Sequence, residues 1–209
     1  MRVDLSNPLR TIAPTVEADV LAVLAKAHRP LSGRRVHVLA ERSYSQVHAV
    51  LGRLVAHGLV QVEHQGAVGL YELNRTHVLA GPILDILNMA DTVKMVIGDV
   101  AGGFEEPPNA VIVFGSLARG QGDEHSDIDL LLIRRDATDP ESPAWRDDVD
   151  RLAAAVESHS GNPCQVLQLD EAGLTDADRR GDPLVDSLKR DGEVVFGVWP
   201  PLLVSTSNI

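Results

Sequence analysis

The sequence predicts a mixed α/β (α+β) protein built in two parts. Three observations predict it: helical and strand periodicities alternate along the chain, a Gly/Pro-rich break interrupts it near residue 105, and charge divides unevenly across that break. The 209 residues suffice for two small domains. Hydrophobic residues make up 44% but aromatic ones only 3%, so aliphatic side chains must fill the core. The net charge of -11 argues against a protein wholly devoted to nucleic acid. From 13 to 75, seven Lys/Arg stand against five Asp/Glu, with five of the eight histidines; from 76 to 209, ten stand against 24. A mildly basic front before a strongly acidic back implies domains with different partners. The single cysteine, Cys164, excludes an internal disulfide and fits a reducing cytoplasm. No apolar run has the length of a membrane span, and MRVDLSNPLRTIAP lacks the apolar centre of a secretory signal. A cytoplasmic location without a membrane partner is expected.

In the front part, TVEADVLAVLAKAH opens on Thr15 as N-cap, with Glu17 and Asp19 in the first turn, where the helix dipole favours acids. Val20, Leu21, Leu24 and Ala25 form one apolar stripe, and Pro30 stops the helix. Ser32 caps a second helix, GRRVHVLAE. SYSQ is a capping box, in which Ser43 accepts from the backbone of Gln46 and the Gln46 side chain reaches back. Val47, Val50, Leu51, Leu54 and Val55 give the third helix its core face, and Gly58 closes it in the C′ position. LVQVEHQG and AVGLYELN, two short β-branched runs around a glycine turn, predict a hairpin.

Three helices followed by a hairpin resemble the winged helix-turn-helix domains of bacterial regulators, here over residues 1–75. The resemblance implies a third helix in the major groove of duplex DNA and a hairpin that acts as the wing. Arg42, Ser43, Ser45, Gln46, His48 and Arg53 would then face the DNA. Arg and Gln pair with base edges, and Ser with phosphates. Winged helices also serve as dimerisation or docking modules, so DNA binding and a homodimer both stay open.

Residues 76–108 form the connection. The spacing of Ile83, Ile86, Leu87, Ala90, Val93, Ile97 and Val100 predicts one long helix, with Pro82 in its first turn and Gly102-Gly103 at its end. EEPPN is a turn that marks the domain boundary.

In the back part, AVIVF is a buried-strand run ended by Gly115-Ser116, LARG makes a short helical turn, and SDIDLLLI is a second strand. Asp127 and Asp129 are two residues apart, so on a strand they point to one face. Two close carboxylates repel and raise each other's pKa, which a divalent cation between them relieves. Such oxygen donors suit Mg2+ (or Mn2+) together with substrate phosphates. Gly115 lets backbone approach a phosphate closely, and Ser116 with the following amides can donate to its oxygens. Arg119, in the same loop, can contact a triphosphate or lie solvated. His125 suits a hard cation poorly and reads as an exposed loop residue, like Asp123 and Glu124.

Gly115-Ser116, ten intervening residues, then Asp127-Ile128-Asp129-Leu130 resembles the signature of the DNA polymerase β-like nucleotidyltransferase superfamily, most of all its minimal bacterial branch. The resemblance is strong over 110–133. It implies a nucleotidyltransferase domain over 109–209: a small mixed sheet with helices on one side, Mg2+ ions on Asp127 and Asp129, and an NTP on Gly115, Ser116 and Arg119. Attack by a hydroxyl on the α-phosphate would follow the two-metal logic.

Ser142 and Pro143 open a helix closed by Gly161, and PCQVLQL is the next strand. In active relatives that strand carries a third carboxylate. The matching position here is Gln165, a neutral departure. Asp170 alternates to the opposite face from Gln165 and reads as the N-cap of the next helix. Asp182 caps a last helix, Gly192 lies beyond its end, and EVVFG is a final strand. Two functional readings follow. One is a metal-dependent nucleotidyltransferase that passes a nucleotide from an NTP to an acceptor the sequence does not name. The other is a DNA-binding regulator or antitoxin-like protein whose nucleotidyltransferase domain is catalytically impaired and senses nucleotide.

Overall fold

Caps and glycines set the ends of most elements in the computed structural model, which describes residues 2–203. Met1 and residues 204–209, the outer ends of the expected first and last domains, lie outside the described residues. The chain divides into two compact units, one Asn7–Met89 and the other Met1–Ser6 with Ala90–Ile209.

The first unit runs α1 (Leu9–Ile12), α2 (Val16–Lys26), β1 (Leu31–Ser32), α3 (Gly33–Leu39), α4 (Tyr44–Ala56), β2 (Val60–Gln65), β3 (Val68–Leu73) and α5 (Ala80–Leu87). Its strands pair antiparallel in the order β1-β3-β2. Elements of four and two residues, α1 and β1, are too short to leave a period in the sequence. Ser32 caps α3 by accepting from Arg35 N at 3.2 Å. Ser43 caps α4 from Gln46 N at 3.4 Å. The capping box closes differently from expectation: the Ser43 hydroxyl donates to Gln46 Oε1 at 2.8 Å, so the two side chains meet each other. Gly58 and Gly66 take the left-handed backbone that ends α4 and turns the hairpin. Val20, Leu24, Val36, Val47, Leu51 and Val60 are buried together as the core.

The expected connecting helix is two helices. α5 ends at Leu87 and α6 spans Met89–Gly102, with Asn88 between them at φ -92, ψ 14. Asn competes for backbone hydrogen bonds and is a weak helix former, which is why the period runs on while the helix breaks. The division between the units falls directly after this break.

The second unit continues with β4 (Ala110–Phe114), α7 (Gly115–Ala118), β5 (Ile128–Ile133), α8 (Pro143–Ser160), β6 (Cys164–Leu169), α9 (Glu171–Arg179), α10 (Pro183–Asp191) and β7 (Glu193–Gly197), then a 3-10 turn at Pro201–Leu203. The sheet order is β6-β5-β4-β7, with β5 and β6 parallel and the other pairs antiparallel. The sheet is mixed, as expected, but helices pack on both of its faces rather than on one. Val111, Val113, Ile128, Leu130 and Leu132 face Val93 and Ile97 of α6 and Trp145, Leu152 and Val156 of α8. Ala110, Ile112, Leu131 and Ile133 face Leu174 of α9 and Val185 and Leu188 of α10. Near-continuous apolar strands such as AVIVF and LLLI need this burial on both sides. No helix among the described residues is long and apolar enough to cross a membrane.

Asp170 caps α9, as its position before EAGL predicts. Its side chain accepts from Gly173 N at 2.7 Å and pairs with Arg134 Nη2 at 2.9 Å. The Gly173 bond, helped by the Arg134 guanidinium, holds its carboxyl below the usual range. Asp170→Ala removes the cap and strips Arg134, whose side chain is only 14% exposed, of its carboxylate. Chemical denaturation is expected to show a loss of roughly 1–2 kcal/mol. The folded pKa is depressed, so this stabilisation is present above the ordinary carboxylate pKa and is lost as pH falls through the folded value. The gap between wild type and variant is expected to narrow below about pH 4.

Candidate functional site

Three elements bring the chemistry-bearing residues of the second unit together. Phe114, the last residue of β4, pairs with Asp129 of β5, and Asp129 pairs in parallel register with Gln165 of β6. Register neighbours share a face, so Asp129 and Gln165 lie side by side; β5 starts at Ile128 rather than before Asp127, so Asp127 stands at the end of the loop, close enough for its charge to act on Asp129. This is the face that α9 and α10 cover farther along the strand. At the Asp127 end it opens: Asp127 and Asp129 are half-buried and Gln165 is exposed.

Gly115 begins α7 at φ +71, a left-handed conformation that favours glycine. A Cβ built there would collide with Asp129 Oδ2 and approach Cγ to 3.2 Å. Only a residue without a side chain lets the turn after β4 close onto the carboxylate. Ser116 follows, half-buried, and its hydroxyl takes no hydrogen-bond partner among the described residues.

The electrostatics are those of crowded negative charge. Burial first, and the Asp127 carboxylate second, push the Asp129 carboxyl up, while Arg119 pulls it down. Neither acid makes a hydrogen bond or ion pair through its carboxylate with any described residue. The same field reaches the neighbouring strand: burial, then Glu157 and Asp129, hold the Cys164 thiol up at about 12. A donor set of two unpaired carboxylates, one of them partly desolvated, fits a hard divalent cation. No group of three or more His, Cys, Asp or Glu side chains comes together as a metal site among the described residues.

Arg119 lies at the end of α7 and is held by protein groups. Its Nε donates to Gln121 Oε1 at 3.2 Å and its Nη1 lies 3.5 Å from Asp191 Oδ2, at the end of α10. Asp191 is itself paired with Arg190 at 2.9 Å. Sequence reasoning passed over Asp191, because only the packing of α10 against the sheet brings it to the loop. His125 has a side chain 85% exposed, as expected of a loop residue. Asp123 is more than a solvated acid. Its Oδ1 accepts from Ser126 Oγ at 2.7 Å and from His125 N at 2.9 Å, which holds its carboxyl below the usual range.

In the first unit, Arg42, Ser43, Ser45, Gln46, His48 and Arg53 all lie on or next to the exposed side of α4. Two of their cations are engaged. Arg42 pairs with the buried Asp19, which Arg10 also meets, and Arg53 pairs with Glu17. Ser43 and Gln46 bond each other, and His48 packs on Tyr44, with ring centroids 5.8 Å apart. These acids sit in the first turn of α2, too far along the chain for local sequence reasoning to match with their partners.

Gly115→Ala tests the close approach. The variant must leave the left-handed region and move Asp129 aside, so a loss of about 1–3 kcal/mol in denaturation is expected. Gly120→Ala, also at positive φ but with open space around its Cβ, is expected to lose less.

Residues 103–160 match the sequence family described as "Nucleotidyltransferase domain". The matched stretch holds β4, the Gly115-Ser116 turn, both acids and all of α8; Gln165 lies beyond its end. A solved structure described as "Crystal structure of the toxin-antitoxin with AMP-PNP" is similar at 18% identity over 51% of this chain and 73% of that chain, with a TM-score of 0.36. No curated protein matches the chain. Residues 103–160 of the second unit are thus similar to the nucleotidyltransferase domain family.

Proposed function

We propose that the second unit is a metal-dependent nucleotidyltransferase that moves a nucleotide from an NTP to an acceptor hydroxyl. The observation that carries this reading is the pair Asp127 and Asp129: neighbouring like charges at the start of β5, unpaired among the described residues, with Asp129 closed on the Gly115 turn and both inside the matched segment. Both carboxylates would hold Mg2+ or Mn2+. Ser116 and the backbone of its turn would hold the phosphates, and Arg119 would leave Asp191 for the triphosphate. The bound metal supplies charge neutralisation at the phosphoryl group and activation of the attacking oxygen. The chain's own share is positioning: the acceptor oxygen bonds to the α-phosphorus as the bond to the pyrophosphate oxygen breaks, in line.

A second reading rests on Gln165. Gln165, in register with Asp129, would stand where relatives of this type carry a third acid, and it is a neutral amide. Two carboxylates neutralise one cation better than two, so the domain would bind metal and nucleotide while catalysing poorly. The first unit then gains weight as the output. Its order α2-β1-α3-α4-β2-β3 supports a winged helix-turn-helix, with duplex DNA as the partner of the exposed face of α4. A homodimer is compatible with either reading.

Calorimetry with Mn2+ and a non-hydrolysable NTP tests the site. Wild type is expected to bind and Asp127→Ala to lose at least about tenfold in affinity, since even outer contacts to a metal are worth that much. Equal affinity in both would refute the reading. Gln165→Asp is expected to tighten Mn2+ and, with a suitable acceptor, to raise pyrophosphate release. Release by wild type supports the enzyme; nucleotide binding without release in wild type supports the sensor.

For DNA, His48→Glu and Ser45→Glu place negative charge on α4 without breaking the Arg42 and Arg53 pairs. Duplex binding by the full chain is expected to fall in both variants and to weaken steeply with salt in wild type. Binding that ignores salt and both substitutions would leave the first unit as a docking module.

A further inference from the structure

We propose that residues 2–6 and Asn162 form a strap that holds the loop leading into the candidate metal acids, so that Asn162 is a positioning residue for Asp127. The functional consequence rests on the metal-site reading above; the strap itself rests on geometry alone. Residues 119–127 run between α7 and β5 without a regular element. Left to itself such a segment would sample many conformations and carry Asp127 with it.

The segment is tied down at successive residues from distant parts of the chain. Ser6 N donates to Gly122 O at 2.7 Å. Arg2 Nη1 donates to His125 O at 3.4 Å. Asn162, 1% exposed, joins strap to loop: its Nδ2 donates to Asp123 O at 3.3 Å and to Ser126 O at 3.1 Å, and its Oδ1 accepts from Val3 N at 3.0 Å. Next along the chain, Ile128 N donates to Pro163 O at 2.8 Å, which starts the β5–β6 register. Leu5 is buried in the same cluster as Leu117 and Ile128, the residues that flank the loop on either side.

The bonds inside the loop, from Asp123 to His125 and Ser126, shape a local turn but fasten it to nothing else. Asn162 supplies that attachment. One buried amide with its oxygen and nitrogen both used is a high-stakes contact, because removing it leaves a backbone N–H and two carbonyls to find other partners. The residue just past the last of those carbonyls is Asp127, so freedom gained by the loop is freedom gained by a metal donor. Donors held in place in advance bind a cation more tightly than donors that must be ordered on binding.

The experiment uses the full chain as wild type, Asn162→Ala, Asn162→Asp and, as a stability control remote from the strap, Asp170→Ala. Two quantities are read: amide hydrogen exchange over residues 122–127, and the Mn2+ dissociation constant in the presence of a non-hydrolysable NTP. Asn162→Asp is nearly isosteric and keeps the acceptor for Val3 N but loses both donors to the loop, so it serves should Asn162→Ala fail to fold. Both Asn162 variants are expected to speed exchange over 122–127 about tenfold while the β4 amides stay protected. Both are expected to weaken Mn2+ about fivefold or more, whereas Asp170→Ala, with a comparable loss of stability, changes neither quantity. Exchange over 122–127 no faster than in Asp170→Ala would overturn the strap. Faster exchange with unchanged Mn2+ affinity would overturn the positioning role. Absence of Mn2+ binding in wild type would overturn the metal-site reading instead, and exchange alone would then uphold or overturn the strap.

Discussion

Two like-charged carboxylates at the mouth of one strand, Asp129 within β5 and Asp127 just before it, set the terms for the rest of the second unit. Asp127 and Asp129 repel each other, and burial adds to the cost of keeping Asp129 ionised. A flexible chain would relieve that repulsion by turning one of them away. Asp129 cannot turn away, because β5 is gripped from every side: β4 and β6 pair with it, and helices cover both of its faces; Asp127 stands just before the strand, at the end of the loop. The glycine turn at the end of β4 then closes on the same carboxylate that burial disfavours. Rigidity in the apolar part of the strand is what makes a concentrated negative charge at its end sustainable.

The loop between that turn and the acids lacks such support of its own, and the chain supplies it from outside. Residues 2–6 belong to the second unit, although residues 7–89 separate them from the rest of it. The first unit is therefore joined to the second by two covalent links, after Ser6 and after Met89. The first of these follows directly on Ser6, whose N–H donates to Gly122 O. In the first unit a similar economy ties Asp19 to Arg10 and Arg42, where one buried acid fixes side chains from two other segments.

What the sequence made legible was local. Ser32, Ser43, Ser142, Asp170 and Asp182 cap helices where their spacing predicts, because a cap involves residues only two or three apart. The parallel register sets Asp129 beside Gln165, while Asp127, expected inside the strand, stands just before it. The illegible parts are those decided by contacts across long separations. Arg42 and Asp19 are 23 residues apart, Arg53 and Glu17 are 36, and Val3 and Asn162 are 159. The break at Asn88 is a competition between a sound apolar period and a weak helix former, and the period alone does not decide it. The second helical layer escaped notice for a different reason: the superfamily resemblance implied one covered face, while the doubly apolar strands already called for two.

On the proposed function, Asp127 and Asp129 bind a divalent cation together with the phosphates of a nucleotide. The most direct measurement is anomalous diffraction at the manganese edge from crystals grown with Mn2+ and a non-hydrolysable NTP. A manganese peak in contact with both carboxylates is expected, with the triphosphate resting on Gly115 and Ser116. A nucleotide bound elsewhere, or ordered nucleotide without manganese between the two acids, would contradict it.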